Sequence, residues 1–167
     1  MTTSSFRGGD TAVTSVPPMA SLVPHAGAMC LLDRVIDWDE DGIRCEATVA
    51  DRHPLKVGTR LPATALIEYA AQAMAAHGRL TTLADGAARA GAGGSDGGRP
   101  RPGRLVGLRG IDLAVRWVDH RRLQVLVRRL GGDSANVLYG FEVLGTDGTD
   151  DTRLASGRAF VTLVPTR

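Results

Sequence analysis

A long, nearly uncharged stretch rich in alanine constrains the fold of this chain more than any other feature. It runs from residue 63 to about residue 82 and has a strongly helical composition. Pro62 precedes it and suits the first turn of a helix, because proline has no amide hydrogen to leave unpaired there. Since apolar residues lie on nearly every side, we expect a buried central helix and not an amphipathic surface helix. The rest of the chain must therefore supply a sheet that covers it.

Segments on both sides of the helix predict that sheet. Residues 31–38 are readable as strand or helix, 39–42 are a turn and 43–50 alternate, so a hairpin is the best interpretation. After the helix, four alternating or β-branched segments separated by glycine-containing turns predict a four-stranded antiparallel meander. These segments are residues 104–116, 123–130, 135–144 and 152–164. The predicted fold class is α+β: a single hotdog domain, with a long central helix wrapped by a curved antiparallel sheet.

Composition sets the domain boundaries. A length of 167 residues predicts one domain of ordinary size. Residues 1–16 are small and polar, so we expect a disordered N-terminal tail ahead of a domain at 17–167. Residues 85–103 are rich in glycine, alanine and proline, which predicts a flexible loop after the helix.

Several classes of protein are disfavoured. The chain has no uncharged apolar run of about 18 residues, so no transmembrane helix is expected, and its first residues do not resemble a signal peptide. Cys30 and Cys45 are too few for a disulfide framework and lack the spacing of metal ligands, so we expect no metal site and a reducing cytoplasm. Residues 86–130 carry ten arginines against three aspartates. Only Trp117 in that window could stack on a base, which argues against nucleic-acid binding.

One acid interrupts the apolar helix. Glu68 is costly to bury there unless it is satisfied or used, and Gln72 follows one helical turn later on the same face. His53 lies in the loop before the helix. From residue type alone, His53 is most simply an ordinary loop histidine, and Glu68 is either a functional or a solvated acid.

Two linked motifs make a family resemblance specific. The segment PHAGAMCLLDRVIDWDEDG resembles the opening of the β-hydroxyacyl-acyl-carrier-protein dehydratases of the FabZ/FabA type, and RLPATALIEYAAQAMAAH is similar to their central helix. Within that family, IEYAAQAMAAH looks closest to the ApeP-like dehydratases of aryl polyene clusters. The resemblance spans residues 23–164 without the glycine-rich loop. It implies a hotdog homodimer, or a heterodimer with a paralogous hotdog subunit, with active sites at the subunit interface.

The resemblance also implies roles for residues. By position, the catalytic histidine falls on His53 and the catalytic acid on Glu68, with the two coming from different subunits. Ala63 takes the place of the glycine whose amide binds the thioester oxygen, and Gln72 could orient the acid. The usual His-Phe-Pro-Gly is replaced here by His-Pro-Leu-Lys from His53 onward, and the spacing to Glu68 is one residue longer. These departures place substrate shape and length in question more than the chemistry.

The implied activity is removal of water from a 3-hydroxyacyl thioester. Histidine titrates near neutrality and suits the base, while a glutamate among apolar neighbours favours its protonated form and suits the acid. No cofactor is implied, since the phosphopantetheine arm of an acyl carrier protein would hold the substrate. Some arginines could dock that partner. The alternatives are a hotdog acyl thioesterase and a non-catalytic partner subunit.

Two further histidines have structural interpretations. His25 follows Pro24 at the family's Pro-His position, and we interpret it as a packing or turn residue. His77 is expected at the C-terminal end of the helix, where an imidazolium can cap carbonyls.

Overall fold

A computed structural model of the chain describes residues 16–91, 103–133 and 135–163. Within these residues the chain forms two α-helices, one 3₁₀ turn and eight strands. The helices are α1 (Met19–Leu22) and α2 (Ala65–Gly91), and the 3₁₀ turn is Gly27–Met29. The strands are β1 (Arg34–Asp39), β2 (Gly42–Thr48), β3 (Leu61–Pro62), β4 (Gly103–Leu113), β5 (Trp117–Val118), β6 (Arg122–Gly132), β7 (Asn136–Gly145) and β8 (Thr152–Leu163).

Six strands form one antiparallel sheet in the order β1-β2-β6-β7-β8-β4. The predicted hairpin is confirmed, with Asp39 opposite Gly42 at the turn between β1 and β2. The predicted four-stranded meander is wrong in one respect: β6, β7 and β8 follow one another, but β4 lies beyond β8 at the sheet edge. Helix α2 explains this crossover. Its 27 residues extend ~40 Å, enough to carry the chain across the four strand spacings, ~19 Å, between β2 and β4.

The sheet packs one face against α2. Five helix residues that face it are fully buried: Leu66, Tyr69, Ala70, Ala73 and Ala76. Alternate residues of β6 and β7 are buried on the sheet side of this core, as expected for strands with one covered face. One long helix against a curved antiparallel sheet is the hotdog fold.

Both ends of α2 differ from the sequence prediction. At the start, Pro62 lies in β3, which pairs with β5, so the helix begins two residues after Ala63. At the end, the helix continues to Gly91, so the first part of the segment predicted as a loop at 85–103 is helical. Three alanines, Ala87, Ala88 and Ala90, favour this extension. Residues 92–102 of the predicted loop, and residues 1–15 of the predicted tail, lie outside the described residues.

None of the helices in the described ranges is long and apolar enough to cross a membrane.

Candidate active site

Two side chains contact the carboxylate of Glu68 at one of its oxygens. The Nε2 of Gln72 donates to Glu68 Oε1 over 3.0 Å. The Nε2 of His25 lies 3.2 Å from the same oxygen. Within the described part of the chain, Glu68 Oε2 forms no hydrogen bond. About a third of the Glu68 side chain, 32%, is exposed, so the free oxygen lies on a helix face that is only partly covered.

Gln72 fastens the N-terminal segment to the helix. It is fully buried, and its Oε1 accepts the amide of Leu31 over 2.9 Å. Its Nε2 donates to the carbonyl of Met29 over 2.7 Å as well as to Glu68. Every donor and the acceptor oxygen of this amide are therefore used, as burial requires. The sequence predicted that Gln72 orients the acid, and the observed contact has the geometry for that role.

The surroundings of the two ring nitrogens of His25 indicate which one carries the proton. Its Nδ1 is buried and has no hydrogen-bond partner among the described residues, while Nε2 faces Glu68. A buried N–H without an acceptor at Nδ1 would cost more free energy than a buried lone pair without a donor there. We therefore assign the ring proton to Nε2, the nitrogen beside the Glu68 carboxylate. The N–H of His25 thus lies on the nitrogen that is 3.2 Å from Glu68 Oε1. The sequence interpretation of His25 as a packing or turn residue missed this contact.

His53 lies in a different environment, against Tyr69. Its Nδ1 accepts the amide hydrogen of Leu55 over 3.1 Å, which leaves the proton on Nε2. That nitrogen lies 2.8 Å from the hydroxyl of buried Tyr69, and the two rings stack with centroids 5.8 Å apart. Burial, and to a smaller extent the charge of Lys56, lower the pKa of His53 below 6.5. Both nitrogens of this imidazole are therefore engaged within one chain.

The structure of one chain pairs Glu68 with His25 and pairs His53 with Tyr69. The family resemblance placed His53 and Glu68 of one site on different subunits, so this pairing in a single chain leaves that prediction open.

The amide of Ala63 is also engaged. It donates to the carbonyl of Arg116 over 3.0 Å, because Ala63 continues the pairing of β3 with β5. The predicted oxyanion donor is therefore not free in this conformation. The next two amides, those of Thr64 and Ala65, form no backbone hydrogen bond among the described residues and lie at the true start of α2. Amides in this position can bind a partial negative charge.

An open cleft of about 280 Å³ lies at the same end of the helix. Its lining comes from β3, the start of α2 and the β4–β5 connection. The guanidinium carbons of Arg60 and Arg116 lie 4.8 Å and 5.8 Å from the ring centre of Trp117. Thr64 lines the cleft and immediately precedes α2, so the cleft and Glu68, in the first turn of α2, lie at the same end of the helix.

His77 is buried within the helix, not at its end, because α2 continues to Gly91. Its Nε2 donates to the carbonyl of Asp39 over 2.9 Å, and its Nδ1 accepts the hydroxyl of Tyr139 over 3.0 Å. The carbonyl that it binds thus belongs to the β1–β2 turn and not to the helix terminus, so the predicted capping role is wrong. Burial is the main reason that the pKa of His77 is lowered below 6.5.

No group of three or more histidine, cysteine or acidic side chains suited to a metal occurs in the ranges that the structure covers.

Comparison with known proteins identifies the family. The family model of the ApeP-like proteins, described as ApeP dehydratase, matches residues 17–164. The dehydratase heterocomplex ApeI:P from Xenorhabdus doucetiae has a similar structure, with a TM-score of 0.70 and 21% identity over 90% of this chain and 93% of that chain.

Other hotdog proteins share the fold at lower identity, and a search of curated proteins gave no match. A thioesterase family protein from Silicibacter pomeroyi has a TM-score of 0.57 at 7% identity, over 80% of this chain and 85% of that chain. The PaaI protein from the phenylacetic acid degradation operon of E. coli has a TM-score of 0.55 at 15% identity, over 86% of each chain. Because the family model covers nearly the whole domain, the chain belongs to the ApeP-like dehydratase family.

Proposed function

We propose that this protein removes water from a 3-hydroxyacyl thioester on an acyl carrier protein and releases the trans-2-enoyl thioester, in fatty-acid-like or polyene biosynthesis. The observation that carries the proposal is the carboxylate of Glu68: one oxygen accepts a hydrogen bond from Gln72 and lies 3.2 Å from His25 Nε2, while the other forms no hydrogen bond among the described residues, on a partly exposed helix face. The dehydratase family supports the reaction class. No cofactor is required, because elimination needs only proton transfer and stabilisation of an enolate oxygen.

The proposed chemistry divides between an acid, a base and an amide. A base removes the proton next to the thioester carbonyl, and the electrons of that C–H bond form the double bond as the C–O bond breaks. Glu68, protonated at Oε2, supplies the proton that converts the departing hydroxyl to water. An amide at the start of α2, from Thr64 or Ala65 in place of Ala63, stabilises the enolate oxygen that forms in between.

We assign the base to His53 acting across a dimer on the substrate held beside Glu68 of the other subunit. The resemblance supplies this assignment. It requires His53 to exchange the Leu55 amide for substrate at Nδ1, the nitrogen that has the lone pair, because Nε2 carries the ring proton and faces Tyr69 in the single chain. If that exchange does not occur, the chain would be a non-catalytic subunit that completes the tunnel of a paralogous partner.

The edge strand β4 supports assembly with a second hotdog chain. It pairs with β8 on one side only, so its other backbone edge is free within the described sheet. Three of its apolar side chains are exposed by more than a third: Leu105, Val106 and Leu108. A free edge with apolar side chains is suited to pairing with another strand. A homodimer and a heterodimer with a paralogous subunit both fit this surface.

The arginines beside Trp117 are the proposed docking point for the carrier protein. Arg116 lines the cleft at the Glu68 end of α2, and Arg60 lies over the ring of Trp117, which also lines it; positive charge there would attract an acidic carrier and the phosphate of its arm. Arg60→Glu and Arg116→Glu should therefore slow turnover of carrier-bound substrate and spare a short thioester mimic. The matched control is Arg158→Glu on β8, an exposed arginine whose side chain forms no hydrogen bond or ion pair with the described residues. Equal losses on both substrates would contradict this docking surface.

The test follows a 3-hydroxyacyl carrier thioester by mass, with the full chain alone and with a second hotdog chain. Loss of one water with the thioester intact, abolished by Glu68→Gln, supports the proposal. Release of a free acid would instead make the protein a thioesterase, and turnover only with the second chain would support the partner-subunit alternative. Absence of product in every arrangement would overturn the proposed function.

A further inference from the structure

We propose that His25 is a positioning residue for Glu68: its Nε2–H, together with the Gln72 amide, binds Oε1 and leaves Oε2 as the oxygen that exchanges a proton with substrate. The inference rests on the proposed function and deepens it. His25 does not itself touch the reacting atoms in this account. It acts through the carboxylate that it holds.

The two carboxylate oxygens of Glu68 have different surroundings. Both donors converge on Oε1, at 3.2 Å from His25 and 3.0 Å from Gln72. A carboxylate with two oxygens free could rotate and bind a proton on either one. A proton on Oε1 is disfavoured, because that oxygen already accepts the Gln72 hydrogen bond and faces the N–H of His25. The proton of the acid form is therefore directed to Oε2.

His25 is held in place independently of Glu68. The short helix α1 precedes it, and Met19 and Leu22 of that helix are buried in the core. After it, Gln72 binds the Met29 carbonyl and the Leu31 amide. The segment is thus fixed on both sides of His25. Because His25 is already held in place, little conformational entropy is lost when it orients Glu68.

His25 has one polar side-chain contact among the described residues. Its Nδ1 is buried without a hydrogen bond, and its Nε2 lies 3.2 Å from the carboxylate oxygen Oε1 of Glu68. About a third of the side chain, 33%, is exposed, which places His25 at the margin of the site and not in the apolar core. A residue needed only for packing would not require a nitrogen at this position.

The test compares two substitutions of His25. His25→Phe keeps a ring without a donor, and His25→Gln keeps an N–H donor without an imidazole. We expect kcat of His25→Phe to fall roughly 10- to 100-fold, because Glu68 loses its orientation. KM should be unchanged, because the substrate keeps its binding contacts. His25→Gln should recover most of that loss. The matched control is His120→Phe, in the β5–β6 connection, with thermal unfolding measured for each variant.

Two results would overturn the inference. One is a kcat for His25→Phe within about twofold of the unaltered protein. The other comes from nitrogen-15 shifts of the imidazole, read without turnover: a neutral His25 protonated at Nδ1 and not at Nε2. If the unaltered protein gives no enoyl product, with or without a partner chain, the proposed function fails. The nitrogen shifts then still decide whether the His25–Glu68 contact exists.

Discussion

Replacing Gln72 by leucine tests how much the fold depends on the amide that joins the helix to the N-terminal segment. The substitution keeps a buried side chain of similar size but leaves the buried Leu31 amide and the half-buried Met29 carbonyl without their partner. A buried amide left unpaired costs about 1–3 kcal/mol, and the half-buried carbonyl costs less because water can reach it. We therefore expect a loss of about 2–4 kcal/mol, or roughly 5–15 °C in Tm.

Urea denaturation at neutral pH, followed by far-ultraviolet circular dichroism, measures this loss. The control is Gln124→Leu on β6, where the glutamine is half-buried and makes no described side-chain hydrogen bond. We expect that variant to change stability by less than about 0.5 kcal/mol. A loss below about 1 kcal/mol for Gln72→Leu would refute the reasoning, because it would mean that the amide does not hold this segment.

Three further substitutions test other contacts. Burial is the main reason that the pKa of His77 is lowered in the folded chain. As the pH falls below about 6.5, the unfolded chain therefore binds more protons at this residue than the folded chain does. The contribution of neutral, buried His77 to stability is full above about pH 6.5 and is lost as the pH falls. Stability should thus fall more between about pH 7.5 and 5.5 in the unaltered protein than in His77→Gln, and equal slopes would contradict this. Tyr69→Phe removes the hydroxyl bound to His53 and should cost about 1 kcal/mol by the same denaturation assay, whereas no change would show that the bond contributes nothing. Ala73→Leu adds volume where the sheet contacts the helix and should cost about 1–3 kcal/mol, and a gain in stability would disprove the close packing.

The features that the sequence predicted well are those set by local pattern. The alanine-rich stretch predicted the central helix because helix propensity and all-round apolarity act over many residues at once. Strand positions followed from alternation, and the relation of Glu68 to Gln72 followed from the helical repeat.

The features that it missed depend on contacts far apart in the chain. The position of β4 beside β8 depends on where α2 ends, and composition alone placed that end too early. His25 precedes Glu68 by more than forty residues, and a loop histidine carries no periodicity that would indicate its partner. The only available signal was its place after Pro24, in a segment whose later residues Gln72 binds.

The sequence did not predict that the Ala63 amide is hydrogen-bonded, for a similar reason. A proline ahead of a helical stretch was read as the first helical turn, but Pro62 instead lies in a two-residue strand opposite Trp117. Pairing between β3 and β5 joins segments more than fifty residues apart, so it overrides the local preference of proline for a helix start.

The most direct test of the account is the reverse reaction in water labelled with heavy oxygen. The protein, alone and with a second hotdog chain, is given an enoyl thioester on an acyl carrier protein. The account predicts a 3-hydroxyacyl thioester that remains attached to the carrier with one labelled oxygen at its third carbon, and no such product with Glu68→Gln. Label found instead in the carboxylate of a released free acid, or hydration that persists in Glu68→Gln, would contradict it.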